Sequence, residues 1–566
     1  MNKLIRRKVD RELPGVSPLL NRLYVGRGIV DVEDLDNSLA RLLPPDSFKG
    51  MSQSVSVLQE AIVKQQIILL IGDFDADGAN SSALMVSCLK AMGAQYVDYL
   101  VPDRFKFGYG LTPEIVAVAL GFSPDVIVTV DNGISSVEGV DAAVSNNIKV
   151  VITDHHLSGA ILPAADEILN PNQPGCNFPS KALAGVGVAF YLLSALRSSL
   201  REINWFRQEQ PNLADFLDLV ALGTIADVVP MDRNKRILVA EGIRRIRAGR
   251  ARPGIYALIS ISGADYKRVT SRDLAFGVGP RINAAGRLEN MSLGIECLLA
   301  DHDHALELAE RLQQLNVERK SIEAEMKAQA QEHISQYHTL GQNEFGVGVC
   351  LFHPQWHQGV VGIVAARIKD QIHRPVIAFA KVSETELKGS ARSIPGLHIR
   401  DALDTIAAKN PGLLVKFGGH AMAAGLSIEP GNFDRFNKLF DEEAKRRLSQ
   451  EDLEQVVVSD GEIGEELSLS LASMVIEAAP WGQGFPEPVF DGEFEVLDQR
   501  IVASRHLKLK LRPINGTNTI EAIAFNHDRL LERRQMRLAY RLDINRYRGR
   551  ESLQLIVECV DLDLAG

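Results

Sequence analysis

Residues 73–77 read Asp-Phe-Asp-Ala-Asp and are followed by Gly78, so three carboxylates alternate along five positions. Carboxylates this close repel one another, and hard, oxygen-seeking cations such as Mg²⁺ or Mn²⁺ relieve that repulsion. One such cluster also arises as a solvated loop or a helix N-cap, so its meaning rests on what accompanies it. Asp131 follows the apolar run DVIVTV, Asp154-His155-His156 follow KVVIT, and Asp227 sits after the apolar stretch of VALGTIADVVP. These read as four strand-end acid or imidazole sites gathered on one face of one sheet, and Asp73, Asp75 and Asp77 with Asp131, Asp154, His155, His156 and Asp227 together point to a metal centre.

The elements around them support that placement. Between residues 66 and 230 short apolar runs (QIILLIG, VDYLVP, DVIVTV, KVVIT) alternate with helical patterns, one beginning near Ser81 and another near 135–146. Runs apolar at every position are strands buried on both faces of a parallel α/β sheet, and ligands bind such sheets at the carboxyl ends of the strands. Residues 303–338 lack Gly and Pro and predict one or two long helices. A second, mixed α/β pattern follows, and from about residue 455 short alternating segments, among them VVVSD, suggest an OB-type β-barrel. The expected fold class is therefore α/β: a parallel-sheet domain joined by a long helix to a smaller mixed α/β domain, plus a C-terminal barrel. The expected divisions are 1–50, 51–300, 301–340, 341–450 and 451–566.

Composition narrows the class. The 566 residues are 46% hydrophobic and 24% charged, as in soluble multidomain proteins. The five cysteines are scattered without a CxxC pair, which fits a reducing compartment and no zinc ribbon. No export signal is visible, and the longest apolar run, Ala182–Leu196, is too short to span a membrane, so a cytoplasmic protein without membrane association is expected. The net charge of −10 argues against a polyanion partner, but its distribution does not. Residues 233–287 hold 13 basic and three acidic side chains, and residues 500–550 hold 13 and four. Both stretches suit nucleic acid, the second with Phe525, Tyr540 and Tyr547 interleaved for base stacking.

GDFDADG, VTVDNG, VITDHH and LGTIADVVP resemble, in order, the motifs of the DHH phosphoesterase superfamily, and GSARS with FGGHAMAAG resembles its DHHA1 companion domain. VPDRFKFGYGL, GPRINAAGR, HPQWHQGVVGIVAARI and WGQGFPEP extend the likeness along nearly the whole chain to the RecJ family of bacterial single-strand-specific exonucleases. The resemblance implies a two-metal Mn²⁺ or Mg²⁺ site in which Asp75 and Asp77 ligate different ions and Asp131 bridges them. His155 and Asp227 would complete the second site and Asp73 the first. The pyrophosphatase branch carries a histidine where this chain has Ile71, so the first site here is all-carboxylate. His156 would face the scissile phosphate, with Asp154 orienting it and His420 contacting the same group. Asp131, His156 and His420 are thus the implied catalytic residues. Arg104, Arg281, Ser390 and Arg392 match a pocket for the 5′ end.

The implied activity is 5′→3′ degradation of single-stranded DNA to 5′-mononucleotides in recombination and repair. A helicase would supply the strand, and the acidic C-terminal tail of single-strand-binding protein would be a partner. A phosphodiesterase of short oligonucleotides or cyclic dinucleotides is the enzymatic alternative, and a non-catalytic repair scaffold is the other; the β region and the intact acidic motifs weigh against them respectively. The lack of a sustained heptad pattern favours a monomer.

Overall fold

The strands Ile68–Gly72 and Val126–Val130 are buried at every position, as a parallel sheet covered on both faces demands. A computed structural model of the chain describes residues 3–103, 106–207, 209–339, 346–464, 466–547, 549–560 and 562–564. Two compact units emerge, one of Arg6–Asn316 with Ser459–Val560, the other of Met1–Ile5, Val317–Val458 and Asp561–Gly566.

In the first unit five strands lie in the order Val97–Leu100, Ile68–Gly72, Val126–Val130, Lys149–Thr153, Glu167–Leu169, all parallel. Gly72 pairs with Val130 and Val130 with Thr153, so three neighbouring strands end at one level. Residues 73, 131 and 154 leave the sheet side by side for that reason. Two expectations need correction. The helix after the first strand is Ala76–Ala91, not one starting near Ser81, because Asp75 caps it by accepting from the Gly78 amide at 3.0 Å. The apolar run before Asp227 is a helix, Leu217–Ala226, buried on nearly every side, and Asp227 is its C-cap. A wholly apolar run carries no period that separates a buried helix from a buried strand.

The same unit contains a closed five-stranded barrel: Phe490–Val502, His506–Pro513, Ile520–Ala524, Arg550–Val560 and Gln535–Tyr547, the last closing on the first. Its strands alternate inward Leu507, Leu509, Leu511, Ile520 and Ala522 with outward polar residues, the OB pattern. VVVSD lies outside the barrel, in a three-stranded sheet with Lys3–Arg6 and Asp563–Leu564. Tyr540 is also not where base stacking would need it. It is 2% exposed, packed edge-on to Phe494 at 5.4 Å inside the barrel.

The second unit holds a mixed sheet ordered Lys416–Gly419, Ala423–Ile428, Leu387–Arg392, Val376–Lys381, Val349–His353, in which only the last two strands run parallel. Phe379, Phe436 and Phe440 fill its core. The Gly- and Pro-free stretch forms one helix, Ala305–Thr339. Among the described residues no helix is long and apolar enough to cross a membrane. Phe494→Ala removes a buried ring from the barrel, and we expect a loss of about 3–5 kcal/mol of stability, read as a lower urea midpoint.

Candidate metal centre

Backbone geometry holds two of the acidic ligand candidates, Asp77 and Asp131. Asp77 lies in the first turn of Ala76–Ala91, and its two oxygens accept from the Gly185 amide at 2.7 Å and the Val186 amide at 3.0 Å, the opening turn of helix Gly185–Glu202. That N-terminus offers unpaired amides and positive dipole charge to a buried carboxylate. Asp131 has a left-handed backbone, φ 65°, held by its amide donating to Thr153 O at 2.9 Å. A non-glycine residue in this region is strained and is kept where direction matters. Glycines leave room around both. A Cβ on Gly185 would fall 2.4 Å from Asp131 Oδ1, and one on Gly223 2.8 Å from Asp77 Oδ1.

His155 Nε2 stands 3.1 Å from Asp131 Oδ1 and 3.5 Å from Asp227 Oδ2. All three atoms are buried, and none makes a hydrogen bond. The ligand atoms fall into overlapping groups, each within 4.8 Å: Asp73, Asp75 and Asp131; Asp77, His155 and Asp227; Asp131, His155 and His156. Asp131 and His155 each belong to two of them. Burial and then Asp77 push Asp131 well above the usual carboxylate range. Burial and then Asp227 push Asp77 up to about 8, and burial and then Asp75 push Asp227 to about 7. Buried acceptors without donors, arranged as carboxylates and one imidazole, fit hard divalent ions, which would relieve the repulsion these shifts record.

The two histidines are driven apart. Burial and the charge on His156 lower His155, leaving a neutral imidazole suited to a metal. For His156 burial acts downward, but the hydrogen bond and charge of Asp154 prevail and raise it to about 9. Asp154 falls to about 2, its burial outweighed by His156. Asp154 Oδ1 faces His156 Nδ1 at 2.7 Å and accepts from the amides of His155 and His156, and its Oδ2 accepts from Ile134 N at 2.9 Å. Its lone pairs are therefore committed to orienting its neighbours.

The chain matches the descriptions "DHH family, N-terminal domain" over residues 67–224, "DHHA1 domain" over 344–446 and "RecJ OB domain" over 460–559. The single-stranded-DNA-specific exonuclease RecJ of Dickeya dadantii is 52% identical over 98% of this chain and 98% of its own length. The chain belongs to the RecJ family. RecJ of Thermus thermophilus, crystallised in complex with Mn²⁺, is 29% identical, with a TM-score of 0.79 covering 97% of this chain and 76% of that one. Its complex with Mg²⁺ gives 27% identity and a TM-score of 0.73, covering 97% and 75%.

The other candidates from the RecJ family pattern are distributed as follows. Ser390 and Arg392 share a face of the Leu387–Arg392 strand, with Arg392 Nη1 donating to Ser390 Oγ at 3.1 Å. A Cβ on Gly362 would meet Ser390 Oγ at 2.8 Å and Arg392 Nη2 at 2.9 Å, so both side chains lie against the first turn of helix Val361–Ile372. His420 belongs to the same unit as that pair, in the turn of a hairpin that pairs Gly418 with Gly425. Arg281, on helix Gly279–Leu288, is buried and donates to the Gly277 and Ile261 carbonyls, while its Nε is without a partner. Arg104 and the Tyr547 side chain lie outside the described residues.

The basic stretch 233–287 is less of a surface than its composition suggests. Lys235, Arg236, Arg245 and Arg281 are buried, and Arg245 and Arg252 pair with Asp215 and Asp218. The barrel presents Lys508, Lys510 and Arg512 on outward positions of one strand, with Lys508 paired to Glu521 at 3.0 Å and Arg512 paired to Glu495, beside Phe525, which is 50% exposed and edge-on to His506 at 5.2 Å.

Sequence reasoning missed Tyr109. Its hydroxyl lies 3.2 Å from His156 Nδ1 and donates to Asp131 O at 3.4 Å, and its ring meets Phe74 and His156 edge-on. A loop tyrosine has no spacing cue that marks it.

Two outcomes test the centre. With metal stripped, Asp77 and Asp227 bind protons more tightly folded than unfolded, where carboxyls titrate near about 4. Stability should therefore fall as pH rises from about 5 to 8, and thermal melts should show Mn²⁺ or Asp227→Asn flattening that slope. Gly185→Ala drives a methyl against Asp131, and calorimetry should show Mn²⁺ affinity lowered by about tenfold or more.

Proposed function

We propose that this chain is a Mn²⁺- or Mg²⁺-dependent exonuclease that degrades single-stranded DNA from the 5′ end, releasing 5′-mononucleotides. The observation that carries this reading is the convergence of Asp131 Oδ1, His155 Nε2 and Asp227 Oδ2 as buried, hydrogen-bond-free acceptors beside Asp73, Asp75 and Asp77, in a chain of the RecJ family. Asp73, Asp75 and Asp131 hold one ion, and Asp77, Asp131, His155 and Asp227 hold the other. Bound ions supply Lewis acidity toward the phosphodiester and a nucleophilic water at neutral pH.

The chain's own residues do the rest. His156, protonated because Asp154 holds Nδ1, has Nε2 as its proton donor toward the phosphate or the departing oxygen. Water adds to phosphorus, the bond from phosphorus to the 3′ oxygen breaks, and that oxygen takes the proton. The terminal nucleotide leaves with its own 5′ phosphate, and the shortened strand carries a new one. Ser390 and Arg392, set against a helix N-terminus, suit that terminal phosphate, and Arg104, Arg281 and His420 are the family-pattern candidates for further substrate contacts. The outward Lys508, Lys510 and Arg512 with Phe525 suit the trailing strand, phosphates by charge and bases by stacking. The proposed setting is cytoplasmic DNA recombination and repair, with a helicase providing unwound strand and the acidic tail of single-strand-binding protein as a partner.

With Mn²⁺, an end-labelled single strand should yield 5′-mononucleotides from its 5′ end while its duplex and a cyclic dinucleotide persist; survival of the single strand would sink the reading. Asp77→Ala and Asp131→Ala should reduce the rate to background. Arg392→Ala should weaken binding of 5′-phosphorylated ends by about 10–100-fold, the effect of losing a charge-assisted hydrogen bond, with Mn²⁺ affinity unchanged. Lys508→Ala with Lys510→Ala should lower the slope of log affinity against log salt by roughly 1.4, at about 0.7 for each phosphate contact.

A further inference from the structure

His155 and His156 belong to no helix or strand, yet their rings, 4.5 Å apart and tilted by 57°, have different tasks. Rotation of the peptide between them would swing both. Its surroundings prevent that. The two amides donate to Asp154 Oδ1, and the two carbonyls are held by side-chain amides from the next strand end. Asn172 Nδ2 donates to His155 O at 2.6 Å, and Asn170 Nδ2 donates to His156 O at 2.9 Å. Asn170 Oδ1 in turn accepts from the Asn172 amide at 2.7 Å, so the pair is one rigid turn. The short strand Glu167–Leu169 delivers this turn. Leu169 pairs with Thr153 and its carbonyl accepts from Asp154 N at 3.1 Å, which fixes residues 170–172 beside 154–156.

We infer that Asn170 and Asn172 are positioning residues for the two imidazoles, Asn172 holding His155 on its ion and Asn170 holding His156 on the scissile group. This rests on the metal-dependent reading above. Asn170 is fully buried, and loss of its amide leaves the His156 carbonyl without its donor. The outer partners of a metal-binding histidine set its orientation, and their loss lowers metal affinity or activity by about 10–100-fold. Because each asparagine holds a different histidine, the two losses should separate.

The test uses the full-length chain with Mn²⁺ calorimetry, steady-state kinetics on a single strand and thermal melts. Asn172→Ala should weaken one Mn²⁺ site by about tenfold or more, with kcat recovering at saturating Mn²⁺. Asn170→Ala should leave Mn²⁺ affinity within about twofold and lower kcat by about tenfold at any Mn²⁺ concentration. Asn170→Ser and Asn172→Ser, which keep a small polar group, serve if an alanine variant does not fold. Equal effects of the two positions on both parameters, or a lowered melting temperature with both parameters intact, would overturn the inference. Absence of Mn²⁺ binding by the unaltered chain would instead overturn the metal-dependent reading itself.

Discussion

Gathering acidic side chains at the ends of adjacent parallel strands is the constraint on which the rest of the catalytic unit depends. In-phase pairing of Gly72 with Val130 and of Val130 with Thr153 makes residues 73, 131 and 154 neighbours, and burial then makes their negative charge expensive. Several local features answer that single problem. The Gly185–Glu202 helix gives its first amides to Asp77, Gly185 and Gly223 yield the space of a side chain, and Asp131 accepts a strained backbone to aim its oxygen inward. What these features leave unanswered is the set of buried acceptors with no donor, and divalent cations are the chemistry that completes it.

The centre also separates two carboxylate functions. Asp77 and Asp131 are raised in pKa and face acidic neighbours, whereas Asp154 is lowered and wholly occupied by His156 and backbone amides. One imidazole is thereby kept neutral and its neighbour charged. Adjacent residues of one type acquire different chemistry because burial and the charge on His156 prevail at His155, whereas at His156 the hydrogen bond to Asp154 outweighs burial.

Much of this is legible in the sequence, and the reasons for the remainder are physical. Asp73, Asp131 and His155 are readable because wholly apolar runs before them mark strands buried on both faces. Asp227 is readable as an acid after an apolar run but not as a helix cap, since the fully buried Leu217–Ala226 carries no amphipathic period. Tyr540 misleads because barrel strands alternate, and one position's shift in register moves an aromatic from the surface to the core. The basic run 233–287 misleads because composition counts a buried Lys235 bonded to a carbonyl the same as an exposed lysine. Tyr109, Asn170 and Asn172 act through tertiary contacts that no spacing rule announces. The net charge of −10 is silent on the substrate, because it sums the whole chain, whereas Lys508, Lys510 and Arg512 occupy three outward positions of one barrel strand.

The central claim is that the acidic cluster is a two-ion centre. Anomalous X-ray diffraction at the manganese edge, from crystals of the full-length chain grown with Mn²⁺, tests it most directly. The account predicts two peaks, both in contact with Asp131, one also with Asp73 and Asp75 and the other with Asp77, His155 and Asp227. Peaks elsewhere, or none among these side chains at saturating Mn²⁺, would contradict it.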